Sequence, residues 1–297
     1  MEIADFIKKH DLPDGYAISA QRWFFPVFEQ IVSFSRCSDH PVVIGINGSQ
    51  GSGKSTLAGL FADVLKPAHD FETVVLSIDD FYLGHDERKT LSETIHPLLQ
   101  TRGVPGTHDV AMAIDTLVSL KQFSAPVTIP HFDKSRDDRA AKSEWRVIDR
   151  KPDIIILEGW CMGSEAQSDD ALIKPVNEIE EKEDSDLVWR NYVNQQLKQN
   201  YPPLFSQVDV WIMLRAPSFD CVFDWRLEQE EKRIQVLSRQ GKYPSGLMNR
   251  NEIARFIQHY QRITEYTLDT LPDRVHFLYE LDKRREIMRL SNPLVLG

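Results

Sequence analysis

Nine consecutive residues carry the densest chemical signal in this chain: Gly48, Ser49, Gln50, Gly51, Ser52, Gly53, Lys54, Ser55 and Thr56. Residues 48 to 55 spell GxxxxGK[ST]. Glycines at these places let backbone amides crowd around phosphate oxygens, and the start of a following helix points its partial positive end at them. Lys54 is placed to bridge the outer phosphates of a nucleotide, and Ser55 to offer its hydroxyl to Mg²⁺. The run PVVIGIN before the loop reads as a strand and TLAGLFADVL after it as a helix. That is the context in which this spelling makes a phosphate-binding P-loop.

Moving a phosphoryl group also needs metal ligands, a group to orient or deprotonate the nucleophile, and positive charge around the transferring oxygens. In SIDDFY, Asp79 and Asp80 end a second apolar strand, and period-2 alternation sends them to opposite sides, one of them toward the nucleotide. In IIILEGW, Glu158 ends a third, where it serves as a Walker B acid or as a cap for the next helix. RGVPGTHD gathers Arg102, His108 and Asp109 around glycines and a proline. Asp109 is also placed as the N-cap of the helix it opens. HFDKSRDDR brings Asp133, Lys134, Arg136 and Arg139 into one loop, a set of cations suited to an anionic substrate. A purely solvated loop would have the same composition. Arg226 and Arg233 stand two helical turns apart with Glu230 between them, as an ion-pair ladder or as the arginines of a lid.

These groups need elements to hold them. Strand patterns fall at Val42 to Ile46, Thr73 to Ile78, Val127 to Ile129, Ile154 to Leu157, Val208 to Leu214 and Val275 to Tyr279. Several are continuous apolar runs, the mark of strands buried on both faces. Helical patterns fall at Thr56 to Leu65, Asp109 to Leu120, Leu187 to Gln199, Phe219 to Ser238 and Glu252 to Leu268. In the last of these, Ile253, Phe256, Ile257, Tyr260 and Ile263 recur as a core stripe. Alternating buried strands and helices predict an α/β fold, a mostly parallel sheet covered on both faces. Residues 1–40, with aromatic clusters around Trp23 to Phe28, read as an N-terminal helical appendage to a kinase-like domain at 41–297. Within that domain, lid or substrate insertions are expected near 84–140, 160–200 and 219–250. The acidic run Asn177 to Asp186 reads as a solvated insertion.

The chain has 297 residues, 45 acidic against 35 basic side chains and a formal net charge of −10. Such a field repels phosphate backbones, which argues against nucleic-acid or membrane-surface partners. Three scattered cysteines, Cys37, Cys161 and Cys221, show no metal or disulfide spacing and suit a reducing cytoplasm. The start MEIADFIKKHD lacks the apolar core of a signal peptide. Neither an NKxD nor a DxxG segment is present, which speaks against a GTPase switch.

Taken in order, GSQGSGKST, IDDFYL, RGVPGTHD, HFDKSRDDRA, LEGWCMG and DWRLEQE resemble the plant-type D-glycerate 3-kinase family and its bacterial and fungal relatives. That family belongs to the P-loop kinases related to phosphoribulokinase, uridine kinase and pantothenate kinase. The resemblance implies a P-loop kinase fold with a helical lid, ATP as donor, and D-glycerate converted to 3-phosphoglycerate. It implies Asp79 as the base, Glu158 as the Walker B acid, and Asp133 and Lys134 on the substrate side. It also puts Arg226 in the lid, and Asp282 and Arg285 of LDKRRE beside the adenine. A kinase of another small metabolite (a nucleoside, pantothenate or a sugar phosphate) and an ATP-binding regulatory protein stay open as alternatives.

Overall fold

The computed structural model describes residues 3–239 and 248–296; within its helices, the side chains of residues 64–69, 232, 233 and 235–239 lie outside the description. Among the described residues ten strands, in chain order, begin with β1 (Val42–Gly48), β2 (Thr73–Ser77), β3 (Val127–Ile129), β4 (Phe132–Asp133) and β5 (Asp138–Arg139). They continue with β6 (Arg146–Ile148), β7 (Ile154–Gly159), β8 (Val210–Arg215), β9 (Phe277–Leu281) and β10 (Ile287–Ser291). Six form one sheet in the order β10-β9-β8-β1-β7-β2. Every pairing in it is parallel except β9 with β10.

The α/β architecture and the mostly parallel sheet expected from the apolar runs are therefore present. β1 and β7 are buried at every position, because helices cover both faces. Alternate residues of β1 then serve two cores: Val42, Ile44 and Ile46 belong to one cluster and Val43 to the other. Parallel register sets Glu158 of β7 level with Ile46 of β1 and with Ser77 of β2. The P-loop, Glu158 and Asp79 consequently emerge along one carboxyl edge, where open α/β sheets place their ligands.

Two details differ from the sequence reading. Val127–Ile129 does form a strand, but it pairs antiparallel with β6 in a separate ribbon outside the main sheet. Three residues with an exposed centre, Thr128, cannot serve a sheet buried on both sides. The helices between Ile3 and Cys37 also contribute to the core: Phe6, Phe24, Val27, Phe28, Ile31 and Val32 are buried in the same cluster as Ile44 of β1 and Leu57 and Phe61 of the helix Lys54–His69. Phe24 meets Tyr279 of β9 edge-on at 5.3 Å, and the Tyr279 hydroxyl donates to the Trp23 carbonyl at 3.0 Å. These helices are the lining of one sheet face.

The acidic run is not solvated throughout. It carries the short helix Glu178–Lys182, in which Glu180 is fully buried, and Asp184 is nearly so. Glu180 accepts from Arg262 Nε at 2.7 Å and Nη2 at 2.6 Å, and Asp184 accepts from Arg190 Nε at 2.8 Å. Buried ions require partners of this kind. The stripe expected on the last helix, Arg250–Thr270, does face the core through Ile253, Ile257, Tyr260 and Ile263. Among the described residues no helix is long and apolar enough to cross a membrane.

Candidate active site

β1 ends in the loop because Gly51 and Gly53 take φ of +78° and +97°, a region that L side chains rarely enter. Gly51 also has no room for a side chain, since a Cβ there would stand 2.7 Å from Cβ of Trp225. The helix Lys54–His69 starts at the lysine itself. Ser55 Oγ donates to Glu158 Oε1 at 2.9 Å, and Lys54 Nζ lies 3.7 Å from Glu158 Oε2. The Walker A lysine and serine thus meet the strand-end carboxylate.

Polar atoms are left over in this cradle. Ser49 Oγ, Gln50 Oε1, Ser52 Oγ and Glu158 Oε2 are buried and take no hydrogen bond. Buried polar groups ordinarily find partners. The free Ser49 and Ser52 hydroxyls, beside the loop amides and the Lys54 ammonium, can donate to the phosphates of a nucleotide, and the Glu158 carboxylate suits an accompanying divalent ion.

Asp79 follows β2 in a short 3₁₀ turn capped by Ser77, whose Oγ accepts from the Asp79 N–H at 3.3 Å. The two aspartates face different partners because they lie beyond the strand, in a 3₁₀ turn whose successive residues stand about 120° apart, and not through strand alternation. Asp80 Oδ1 lies 3.1 Å from His131 Nδ1, whereas Asp79 accepts from the Tyr82 hydroxyl at 2.8 Å and from Lys134 Nζ at 2.6 Å. Burial would raise the Asp79 carboxyl, but the charges of Lys134 and Lys54 outweigh it and hold the group well below the usual carboxylate range. Asp79, and Glu158 more weakly, in turn raise the Lys134 ammonium. Four charges from four segments therefore share one site.

His108 is buried beneath this centre. Its ring stacks on Tyr82 at 4.6 Å, Nδ1 lies 2.6 Å from the Tyr201 hydroxyl, and Nε2 has no hydrogen-bond partner. Burial pushes its pKa down to about 4, against a smaller opposing pull from Asp79. His259, in the helix Arg250–Thr270, is likewise pushed down to about 4 by burial. Both rings are neutral in the fold, whereas in the unfolded chain they titrate near 6.5. The unfolded state therefore gains protons first on acidification, so stability is complete above about pH 6.5 and declines toward pH 4. Thermal midpoints measured at pH 7, 5.5 and 4.5 should fall steadily. A flat series would show that neither ring is held neutral.

The other candidates divide. Arg102 faces the Asp137 carboxylate, its charge acts on Lys134, and its carbonyl accepts from Tyr260 at 3.1 Å. Tyr260 in turn feels Asp79, Arg102 and Arg226. Arg226 pairs with Glu230 at 2.8 Å and lies over the Phe256 ring at 5.9 Å, which is one rung of the expected ladder; the side chain of Arg233, its other end, lies outside the described ones. Asp109 caps its helix by accepting from Met112 N at 3.0 Å. Asp133 closes its own turn on Ser135 and Arg136, and those hydrogen bonds hold it below the usual range. Arg136 spans Asp133 and Glu144 on the surface. Arg139 donates to the Tyr82 carbonyl at 3.1 Å and lies 3.6 Å from Asp109. In this structure all four make turn and brace contacts with protein neighbours, while Arg139 Nε is buried without a hydrogen-bond partner.

At the far end of the loop, Asp282 accepts from Arg284 N and Glu286 N, both at 2.8 Å, which makes it the organiser of the turn before β10. Arg285 sits over Trp225 at 5.9 Å and pairs with Glu228. Trp225 is the residue packed on Gly51, so Arg285 stands one ring away from the P-loop. Tyr82 and Tyr201 escaped the sequence reading, although Tyr82 lies within IDDFY, three residues after Asp79. Spacing exposed Tyr260 as core, and nothing local marked its hydroxyl.

No family model matches the chain. It is 34% identical over 245 residues to an uncharacterized kinase of Schizosaccharomyces pombe, mug58, a likeness covering 80% of this chain and 84% of that protein. It is 28% identical over 266 residues to the chloroplastic D-glycerate 3-kinase of Arabidopsis thaliana, covering 82% of this chain and 53% of that protein. A solved structure of D-glycerate 3-kinase from Cryptococcus neoformans var. grubii superposes with a TM-score of 0.70 at 25% identity, covering 90% of this chain and 99% of the other. From the loop, its strand-end carboxylate and these likenesses together, the chain belongs to the family of P-loop kinases that includes the D-glycerate 3-kinases and their fungal relatives.

Proposed function

We propose that this kinase uses ATP and Mg²⁺ to phosphorylate a hydroxyl of a small anionic metabolite, with D-glycerate as acceptor and 3-phosphoglycerate as product. One observation carries the reading: Asp79 lies under the charges of Lys54, from the phosphate loop, and of Lys134, from a loop outside it. A carboxylate between a phosphate-binding cation and a second cation suits an acceptor that brings both a hydroxyl and an anionic group.

In this reading the amides of residues 48–56 and Lys54 hold the phosphates. Ser55 and Glu158, with Asp79 beside them, would hold Mg²⁺, an ion that takes one or two carboxylates and otherwise keeps water and substrate oxygens. Bound there, the ion supplies charge neutralisation at the phosphoryl oxygens. Asp79 orients the acceptor hydroxyl and takes its proton, while Lys134 and Arg102 grip the carboxylate. Arg226 adds positive charge from the lid, and Arg285 lies toward the base. Free cytoplasmic metabolites are the acceptors it would meet.

Purified protein with MgATP and one acceptor at a time tests the proposal by ADP release. Glycerate should outpace uridine and pantothenate, and NMR should find phosphorus on the C3 oxygen. Phosphorus on C2 would make it a 2-kinase. Turnover that no acceptor stimulates would overturn the reading and favour an ATP-binding regulatory protein.

A further inference from the structure

The loop that carries Lys134 is shaped from within by the turn that Asp133 closes on Ser135 and Arg136, but its strand pairing is short. β4 and β5 share two residue pairs, and Asp137 between them has a φ of +53°. Lys134 is nevertheless set against Asp79 at 2.6 Å, although its own side chain is 56% exposed. Contacts from outside the ribbon therefore help to set where it lies.

Arg88, on the helix His85–Thr94, is fully buried, and its guanidinium faces three separate segments. Nε donates to the Leu83 carbonyl at 3.1 Å, Nη1 to the Gln100 carbonyl at 2.9 Å, and Nη2 to the Asp137 carbonyl at 2.6 Å. Nη2 also lies 3.0 Å from the Asp137 carboxylate, which Arg102 shares. Each tethered residue is near one in the site: Leu83 follows Tyr82, Gln100 precedes Arg102 by two, and Asp137 follows Lys134 by three. A planar fork with five donors can bind three carbonyls in fixed directions, whereas an ammonium is a point charge.

We infer that Arg88 is the positioning residue of this kinase: by knotting residues 83, 100 and 137 it sets Lys134 on Asp79, without touching the acceptor itself. The inference rests on the proposed reading of the site. A group that aims another acts by placement, and displacement by about 1 Å can cost on the order of 10²-fold in rate.

The test is a double-mutant cycle of Arg88→Lys and Lys134→Met, joined to a chemical readout that needs no acceptor. Arg88→Lys should lower acceptor kcat/KM on the order of 10²-fold, with KM for ATP unchanged. In the Lys134→Met background the same change should alter it by about twofold or less, the scatter of additive changes. Equal factors in both backgrounds would overturn the inference and leave Arg88 a packing residue. Separately, reductive methylation followed by mass spectrometry should label Lys134 several-fold faster in Arg88→Lys, with Lys54 unchanged. An unaltered Lys134 rate would overturn it whatever the substrate, whereas absence of acceptor-stimulated turnover in the unmutated protein sinks only the kinase reading. Should Arg88→Lys fail to fold, Asp137→Asn takes its place in both arms, since Asn tolerates the same positive φ. It should give the same coupling and faster labelling, and their absence would overturn the inference.

Discussion

Replacing Asp79 by Asn should lower kcat by roughly 10² to 10⁴, the usual contribution of a general base, and leave KM for ATP nearly unchanged. The asparagine is isosteric and can still accept from the Tyr82 hydroxyl, so the turn capped by Ser77 survives. What is lost is the negative charge on which Lys134 is set and toward which Lys54 acts. The Ser55–Glu158 and Lys54–Glu158 contacts of the nucleotide cradle do not involve Asp79, and the asparagine keeps an oxygen beside the proposed Mg²⁺ ligands. Steady-state ADP release with the preferred acceptor measures the effect, and circular dichroism confirms the fold. Turnover equal to that of the unmutated protein would remove Asp79 from the mechanism, and an equal loss in ATP affinity would reassign it to nucleotide binding.

The largest stability effect should come from a residue far from the chemistry. Glu180→Ala leaves the buried Arg262 without the carboxylate to which its Nε and Nη2 donate, and removes the 3.5 Å partner of Arg190. Breaking a buried ion pair by deleting one partner costs about 3–5 kcal/mol, because an uncompensated cation remains in a poorly solvated place. Arg190 keeps Asp184, so the burden falls on Arg262. For a chain of this size a fall in the thermal midpoint on the order of 5 °C or more follows. Lys182→Ala, on the same short helix but at the exposed Lys182–Glu178 pair, is the control and should leave the midpoint where it was. A Glu180→Ala midpoint indistinguishable from that control would show that the network is solvated.

The helix Arg250–Thr270 connects the two effects. Arg262 fastens it to the acidic segment, and Tyr260, less than one turn earlier, reaches the Arg102 carbonyl. Loosening Glu180 should therefore also be felt at the acceptor side of the site before it is felt at the P-loop.

Much of this protein could be read from its sequence, and for local reasons. Glycines at positive φ, a lysine at a helix start and a serine beside it form a phosphate cradle through neighbouring residues alone, so their spelling is enough. Unbroken apolar runs such as VVIGI and IIIL report burial on both faces, which requires a parallel sheet with helices on each side. The carboxylates at the ends of those runs then share an edge by register.

Tertiary structure decided the rest. That Lys134 meets Asp79 while Arg136, two residues on, turns to Glu144 depends on contacts 55 and 8 residues apart in the chain, which no local pattern encodes. Glu180 and Asp184 look like neighbours in a solvated acidic run until Arg262, 82 residues from Glu180, folds over it. Side-chain charge and spacing fix what a segment can do next to itself. Whether a charge is buried, and which partner then holds it, is settled only when distant segments close around it and exclude water.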